Sequence, residues 1–258
     1  MDVKCRQSGL KADAAVIVAT VRALKQHGGA FHFRPGMSYS AVKNAAETEN
    51  LSAVEKGCAN LAAHINIVRQ YGIPAVVAVN RFTSDTDKEI ELVKRKALDA
   101  GAIGVAVSEG WANGGDGGVE LAKEVLKAVE MPNNMKLLFP DDISIKEKIE
   151  TIATKIYGAD GVDYAPEANN RIDLFERLGF GKLTINMAKT HLSLSHDPTL
   201  IGVPKGFRLP VREVRASVGA GFLYPICGAM STMPGLPSHP AFMDVDVDLK
   251  TGLTKGLF

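Results

Sequence analysis

The chain has 258 residues, with 30 Lys and Arg against 29 Asp and Glu, 46% hydrophobic residues and 6% aromatics. A formal net charge of +1 with no long run of one sign lacks the footprint of a phosphate-backbone binder, so nucleic acid is not an expected partner. The longest apolar runs, around Ala14 to Val21 and Ile73 to Val79, fall well short of the roughly 20 residues that cross a bilayer, so no membrane span is expected.

The N-terminus, MDVKCRQSGLKADAAVIVAT, has neither the unbroken apolar region nor the small-residue cleavage site of a signal peptide, which makes a cytoplasmic location the expectation. Ala14 to Thr20 is a β-branched run suited to a parallel strand buried on both faces, and such a strand needs covering elements on either side. From Ser52 to Tyr71, Val54, Cys58, Leu61, Ile65 and Val68 recur at helical spacing, and Gly72 follows as a left-handed cap. Ile73 to Asn80 is the next apolar strand. Thr86 and Glu89 have capping-box spacing ahead of Ile90, Val93 and Ala97, which predicts a helix ending at Gly101. Ala102 to Val107 is a third strand, Gly110 to Gly118 a glycine-rich loop, and Val119 to Val129 another helix. This alternation implies parallel strands joined by right-handed crossovers.

Met131 to Asn134, with Pro132 and two asparagines, reads as a linker. Beyond it, Ser144 and Glu147 cap a helix that stops at Gly158, and Pro166 opens another that runs to Leu178. Short strands are then predicted at 183–188, 207–216, 222–227 and 242–247. The fold class is therefore α/β: a parallel βαβ region followed by a mixed α+β C-terminal region.

A nucleotide-binding P-loop is absent. Gly179, Gly181 and Lys182 come nearest to one, but Leu183 stands at the hydroxyl position and the first glycine is misplaced. His191 and His196 are five apart, a spacing that suits no metal consensus, and Cys5, Cys58 and Cys227 form no paired motif and read as buried thiols. Two strand ends are more informative, because ligands of parallel sheets bind at the carboxyl edge. Phe82 follows the strand ending in Asn80, and Trp111, the only tryptophan, follows the strand ending near Ser108. The two rings either cover the sheet edge or clamp a flat heteroaromatic ring. The loop Asn113 to Gly118 either turns the chain or brings backbone amides close to a ligand.

The stretches DAAVIVATVRALKQHGG, AVVAVNRFTSDTDKEIELV, GWANGGDGGVELA, KIYGADGVDY, MAKTHLSLSHDP, REVRASVGAGFLYP and STMPGLPSHPAF resemble the formate:tetrahydrofolate ligase family, in unbroken order along the whole chain. Members are about twice as long, so the resemblance is to their C-terminal half. It implies the end of a P-loop NTPase-like domain at 1–72, an α/β folate-site domain at 73–134 and a mixed α+β domain at 135–258. It also implies ATP with Mg2+ and tetrahydrofolate as ligands, with the nucleotide site mostly in the half that is not matched. Phe82 and Trp111 match the two residues that hold the pterin, with Thr83 beside them where some members carry proline. Leu209 and the loop residues Pro234, Gly235 and Leu236 match positions expected on the nucleotide side, and the loop has an equal structural reading as a turn. The implied reaction forms 10-formyltetrahydrofolate from formate, ATP and tetrahydrofolate in one-carbon metabolism. The implied partner is an N-terminal half or a homo-oligomer. A noncatalytic folate-binding or assembly module stands as the alternative.

Overall fold

The computed structural model describes residues 1–31, 39–230 and 238–256. A short helix α1 (Lys4–Ser8) precedes β1 (Ala15–Ala19), α2 (Val21–His27), α3 (Tyr39–Glu47), α4 (Leu51–Gln70) and β2 (Ala75–Asn80). Then come α5 (Asp87–Asp99), β3 (Gly104–Ser108), α6 (Gly110–Asn113), a 3-10 turn over Gly114–Gly118, and α7 (Val119–Val129). β1, β2 and β3 pair in parallel in that spatial order, with Ile17 opposite Val77 and Val77 opposite Val105. The sheet thus runs across position 72: residues on both sides of that expected boundary are hydrogen-bonded neighbours.

Side chains alternate across these strands and so divide between two faces. Ile17, Ala19, Val77, Val79, Val105 and Val107 face Val54, Cys58, Leu61 and Ile65 of α4 and Ile90, Val93 and Ala97 of α5. On the other face α7 lies against β2 and β3 and stops short of β1. This corrects the expectation that the first strand is buried on both faces. Val16 and Val18 are 43% and 65% exposed, because no described helix covers their end of the sheet. β2, the central strand, is the one buried from Ala75 to Val79.

α2 and α4 approach closely at two glycines. A Cβ on Gly28 would lie 1.8 Å from the Ala53 carbonyl oxygen, and one on Gly57 would lie 1.9 Å from that of Leu24. Here glycine is required by space, since the φ of Gly28 is an ordinary −84°.

An irregular stretch over 131–144, with bends and a turn, leads to α8 (Ile145–Lys155), β4 (Gly161–Tyr164), α9 (Pro166–Arg177), β5 (Thr184–Ile185), β6 (Arg208–Ser217) and β7 (Phe222–Cys227). These strands form a second sheet in the order β4-β6-β7-β5, with β6 and β7 antiparallel and the outer two pairs parallel. Its core is separate from the first and joins Ile145, Ile149, Ile172, Phe175, Leu209, Val211, Val214 and Leu223. Both capping boxes expected from the sequence form, at Thr86–Glu89 and at Ser144–Glu147. A strand expected over 242–247 contracts to β8 (Asp246–Val247), paired with β9 (Thr254–Lys255) after a 3-10 turn over Ala241–Met243. Phe242 and Met243 are exposed there, so no burial draws them into a ladder.

The N-terminal segment is tied to the second unit. Arg6 donates to Asp141 at 2.7 Å and to the Phe139 carbonyl at 2.6 Å, and its guanidinium sits 4.7 Å from the Phe139 ring centroid. No described helix is long and apolar enough to cross a membrane.

Candidate functional site

The carboxyl ends of β2 and β3 bring the two sequence-predicted aromatics to one edge. Asn80 is opposite Ser108, and the Arg81 amide donates to the Ser108 carbonyl at 3.1 Å, extending the ladder one residue past β2. The chain then leaves the sheet at Phe82 on one strand and at Glu109 and Gly110 on the other. The Trp111 indole Nε1 donates to the Arg81 carbonyl at 3.0 Å, so the two wall segments are tethered directly. Phe82 is 47% exposed and Trp111 65% exposed. Both rings stand open to solvent at this edge. Thr83 is exposed beside Phe82.

The turn carrying Phe82 is locked from within. Asp85 Oδ2 accepts from the Phe82 amide at 2.9 Å, and the Asp85 amide donates back to the Phe82 carbonyl at 3.0 Å. Burial pushes the Asp85 carboxyl above its usual range, against the opposing pull of the Phe82 amide and the nearby Lys25 ammonium. Beneath the turn lies an ion pair excluded from solvent: Lys25 Nζ is 2.9 Å from Glu89 Oε1, and both side chains are 0% exposed. Lys25 also donates to the Ala46 carbonyl at 3.0 Å, and Glu89 accepts from the Asn50 amide at 2.7 Å. The sequence marks Glu89 as a capping residue; its buried partner 64 positions earlier carries no local signal.

The glycine loop forms a tight turn. The Glu109 amide donates to the Gly117 carbonyl at 3.0 Å, and a Cβ on Gly117 would meet the Glu109 backbone at 2.5 Å. The loop borders a cleft of about 590 Å³ whose lining includes Glu109, Asp116, Glu120 and Glu124, with Lys94 as the one cation among the described residues that line it. Four carboxylates repel a phosphate.

The remaining candidates fall elsewhere. Leu209 is 0% exposed in β6, opposite Val162, inside the second core, so its side chain presents no surface to a nucleotide. An apolar side chain in the central part of a covered sheet packs inward. Pro234, Gly235 and Leu236 lie outside the described residues. The motif KTHLSLSHDP folds into hydrogen-bonded turns, in which Ser193 Oγ accepts from the Ser195 amide at 2.9 Å and Ser195 Oγ from the Asp197 amide at 3.0 Å. Lys189 donates to the Thr190 and Ser193 carbonyls across that segment. Cys58 and Cys227 are buried, and burial pushes their thiols to about 11 and about 12, while Cys5 is only partly buried. Among the described residues no group of three or more His, Cys, Asp or Glu is placed to hold a metal ion.

The sequence profile of the family described as formate–tetrahydrofolate ligase matches residues 1–258. A formate–tetrahydrofolate ligase of Desulforamulus reducens is 55% identical over 258 residues, which is all of this chain and 45% of that protein. One from Spinacia oleracea is 50% identical over 258 residues and 40% of its length. The cytoplasmic C-1-tetrahydrofolate synthase of Mus musculus is 49% identical over 257 residues, 27% of its length. The chain therefore spans less than half the length of these relatives, and with the whole of its sequence matched it belongs to the formate–tetrahydrofolate ligase family.

Proposed function

We propose that the chain supplies the tetrahydrofolate side of a formate–tetrahydrofolate ligase, an enzyme that forms 10-formyltetrahydrofolate from formate, tetrahydrofolate and ATP. The observation that carries this reading is the pair of open rings, Phe82 and Trp111, at the carboxyl ends of adjacent parallel strands and tied together through the Arg81 carbonyl. In this reading the pterin enters between the rings, with Thr83 shaping the mouth of the slot. Holding one reactant in a fixed orientation lowers the barrier by removing its rotational and translational freedom before reaction. The part of the chemistry proposed for these residues is therefore binding and orientation.

ATP with Mg2+ belongs elsewhere in this proposal. The 258 residues contain no P-loop, the cleft along the β3 edge beside the glycine loop is lined by carboxylates, and the described residues hold no metal-binding cluster. They do not fit a magnesium–nucleotide site, and no phosphoryl-transfer step is attributed to them. The partner they need is the P-loop-bearing portion of the ligase, on the same polypeptide or another.

Trp111 is the sole tryptophan, so its emission reports on the slot without interference. Titration with tetrahydrofolate is expected to change that emission, and Phe82→Ala is expected to weaken the midpoint several-fold, since an aromatic stack contributes about 0.5–1.5 kcal/mol beyond burial. A flat titration, both for the chain alone and with the P-loop portion added, removes the folate assignment.

A further inference from the structure

Phe82 is about half exposed, so the backbone from which its ring projects shares with its partial packing in placing it. That backbone is held at both its amide and its carbonyl by one residue, Asp85, at 2.9 and 3.0 Å. Asp85 is 6% exposed, although Thr83, two residues before it in the same turn, is open to solvent. An acidic side chain taken out of water within a surface turn needs compensating contacts. The next residue, Thr86, is the N-cap of α5, and the third residue of that helix is Glu89, fixed by the wholly buried Lys25. The start of α5 therefore cannot slide without stranding a buried charge. The opposite ring refers to the same short segment, because Trp111 hydrogen-bonds the Arg81 carbonyl.

We infer that Asp85 is the positioning residue of the Phe82 wall, anchored from below by the Lys25–Glu89 pair, so that the width of the slot is set by a buried acid that never touches the ligand. This rests on the folate reading of Phe82 and Trp111. A turn residue with a purely structural part predicts a loss of stability with no link to the ring.

The test uses the 258-residue chain, with tetrahydrofolate as the probe and Trp111 emission as the signal. Asp85→Ala is expected to weaken binding by up to the several-fold loss of Phe82→Ala and no further, since a residue that acts through the ring cannot cost more than the ring. Asp85→Asn, which keeps a side-chain oxygen for the Phe82 amide, is expected to retain most of the affinity. The variant Phe82→Ala/Asp85→Ala is expected to bind no more weakly than Phe82→Ala, because Asp85 acts through that ring. If Asp85→Ala does not fold by circular dichroism, Asp85→Ser takes its place, its hydroxyl being too short to reach the amide. A second signal needs no ligand: hydrogen exchange at the Phe82 amide should accelerate in Asp85→Ala and slow again in Asp85→Asn, with Val76 to Val79 unchanged. Unaltered exchange at Phe82, wild-type affinity in Asp85→Ala, or losses that add fully in the double variant each overturn the inference. Binding by the wild type that is absent both alone and with the P-loop portion added, or that is unaffected by Phe82→Ala, defeats the folate reading instead, and the role of Asp85 with it.

Discussion

Replacing Lys25 with methionine isolates the charge that holds the floor of the site. Methionine keeps most of the aliphatic stem, so the chief loss is the ammonium that lies 2.9 Å from Glu89 Oε1 and 3.0 Å from the Ala46 carbonyl, with both side chains of the pair at 0% exposure. Breaking a buried pair by removing one partner typically costs about 3–5 kcal/mol, because the other charge is left in a low-dielectric interior. Glu89 retains the Asn50 amide at 2.7 Å and the Thr86 amide at 3.3 Å, which places the expected loss near the lower end, about 3 kcal/mol. Against a total stability of about 5–15 kcal/mol that loss is large. It is read by equilibrium urea unfolding followed by Trp111 emission, which reports the first unit alone. Adding Glu89→Gln to Lys25→Met removes the stranded charge and keeps an oxygen for the Asn50 amide, at the loss of the longer bond from the Thr86 amide to the other carboxylate oxygen, and should recover about 1 kcal/mol. A single-variant loss below about 1 kcal/mol, or a double variant less stable than the single, refutes the reasoning.

Gly57→Ala puts a methyl 1.9 Å from the Leu24 carbonyl oxygen, so α2 and α4 must separate; a stability loss of about 2 kcal/mol is expected by the same unfolding assay, and wild-type stability would show that the helices part freely. Native protein treated with a thiol reagent at mildly alkaline pH should be labelled only at Cys5, since burial raises the Cys58 and Cys227 thiols to about 11 and about 12. Mass spectrometry showing prompt native labelling of Cys227 contradicts that placement. Supplied with ATP, Mg2+ and formate, the 258 residues by themselves should release no ADP above a no-protein blank, because they contain no P-loop; formate-dependent release overturns the division of labour proposed above.

Much of the first unit is legible from local pattern. The apolar runs of β1 to β3, the helical spacing of α4 and α5, and the Thr86–Glu89 capping box are each set within a few residues. What escapes is what depends on distant partners. Val16 and Val18 look like core residues by composition, yet their exposure follows from α7 lying only over β2 and β3. β4 is four residues with only Val162 buried, too short for any alternation to declare it, and it exists because β6 lies alongside it. α2 and α3 are short, seven and nine residues against the twenty of α4, and so repeat an apolar spacing over fewer turns. At the site, strand-end position and the scarcity of tryptophan bring Phe82 and Trp111 into view. The Arg81 tether, the buried Asp85 and the Lys25–Glu89 pair come only with the fold. The burial of Leu209 in β6, within the second core, likewise comes only with the fold.

The central claim, that Phe82 and Trp111 form the two walls of a pterin slot, is tested most directly by proton NMR of the chain saturated with tetrahydrofolate, in which only Phe and Trp rings are protonated. The account predicts intermolecular contacts from the pterin ring protons to both the Trp111 indole and the Phe82 phenyl. Saturable binding in which the pterin contacts neither ring contradicts it.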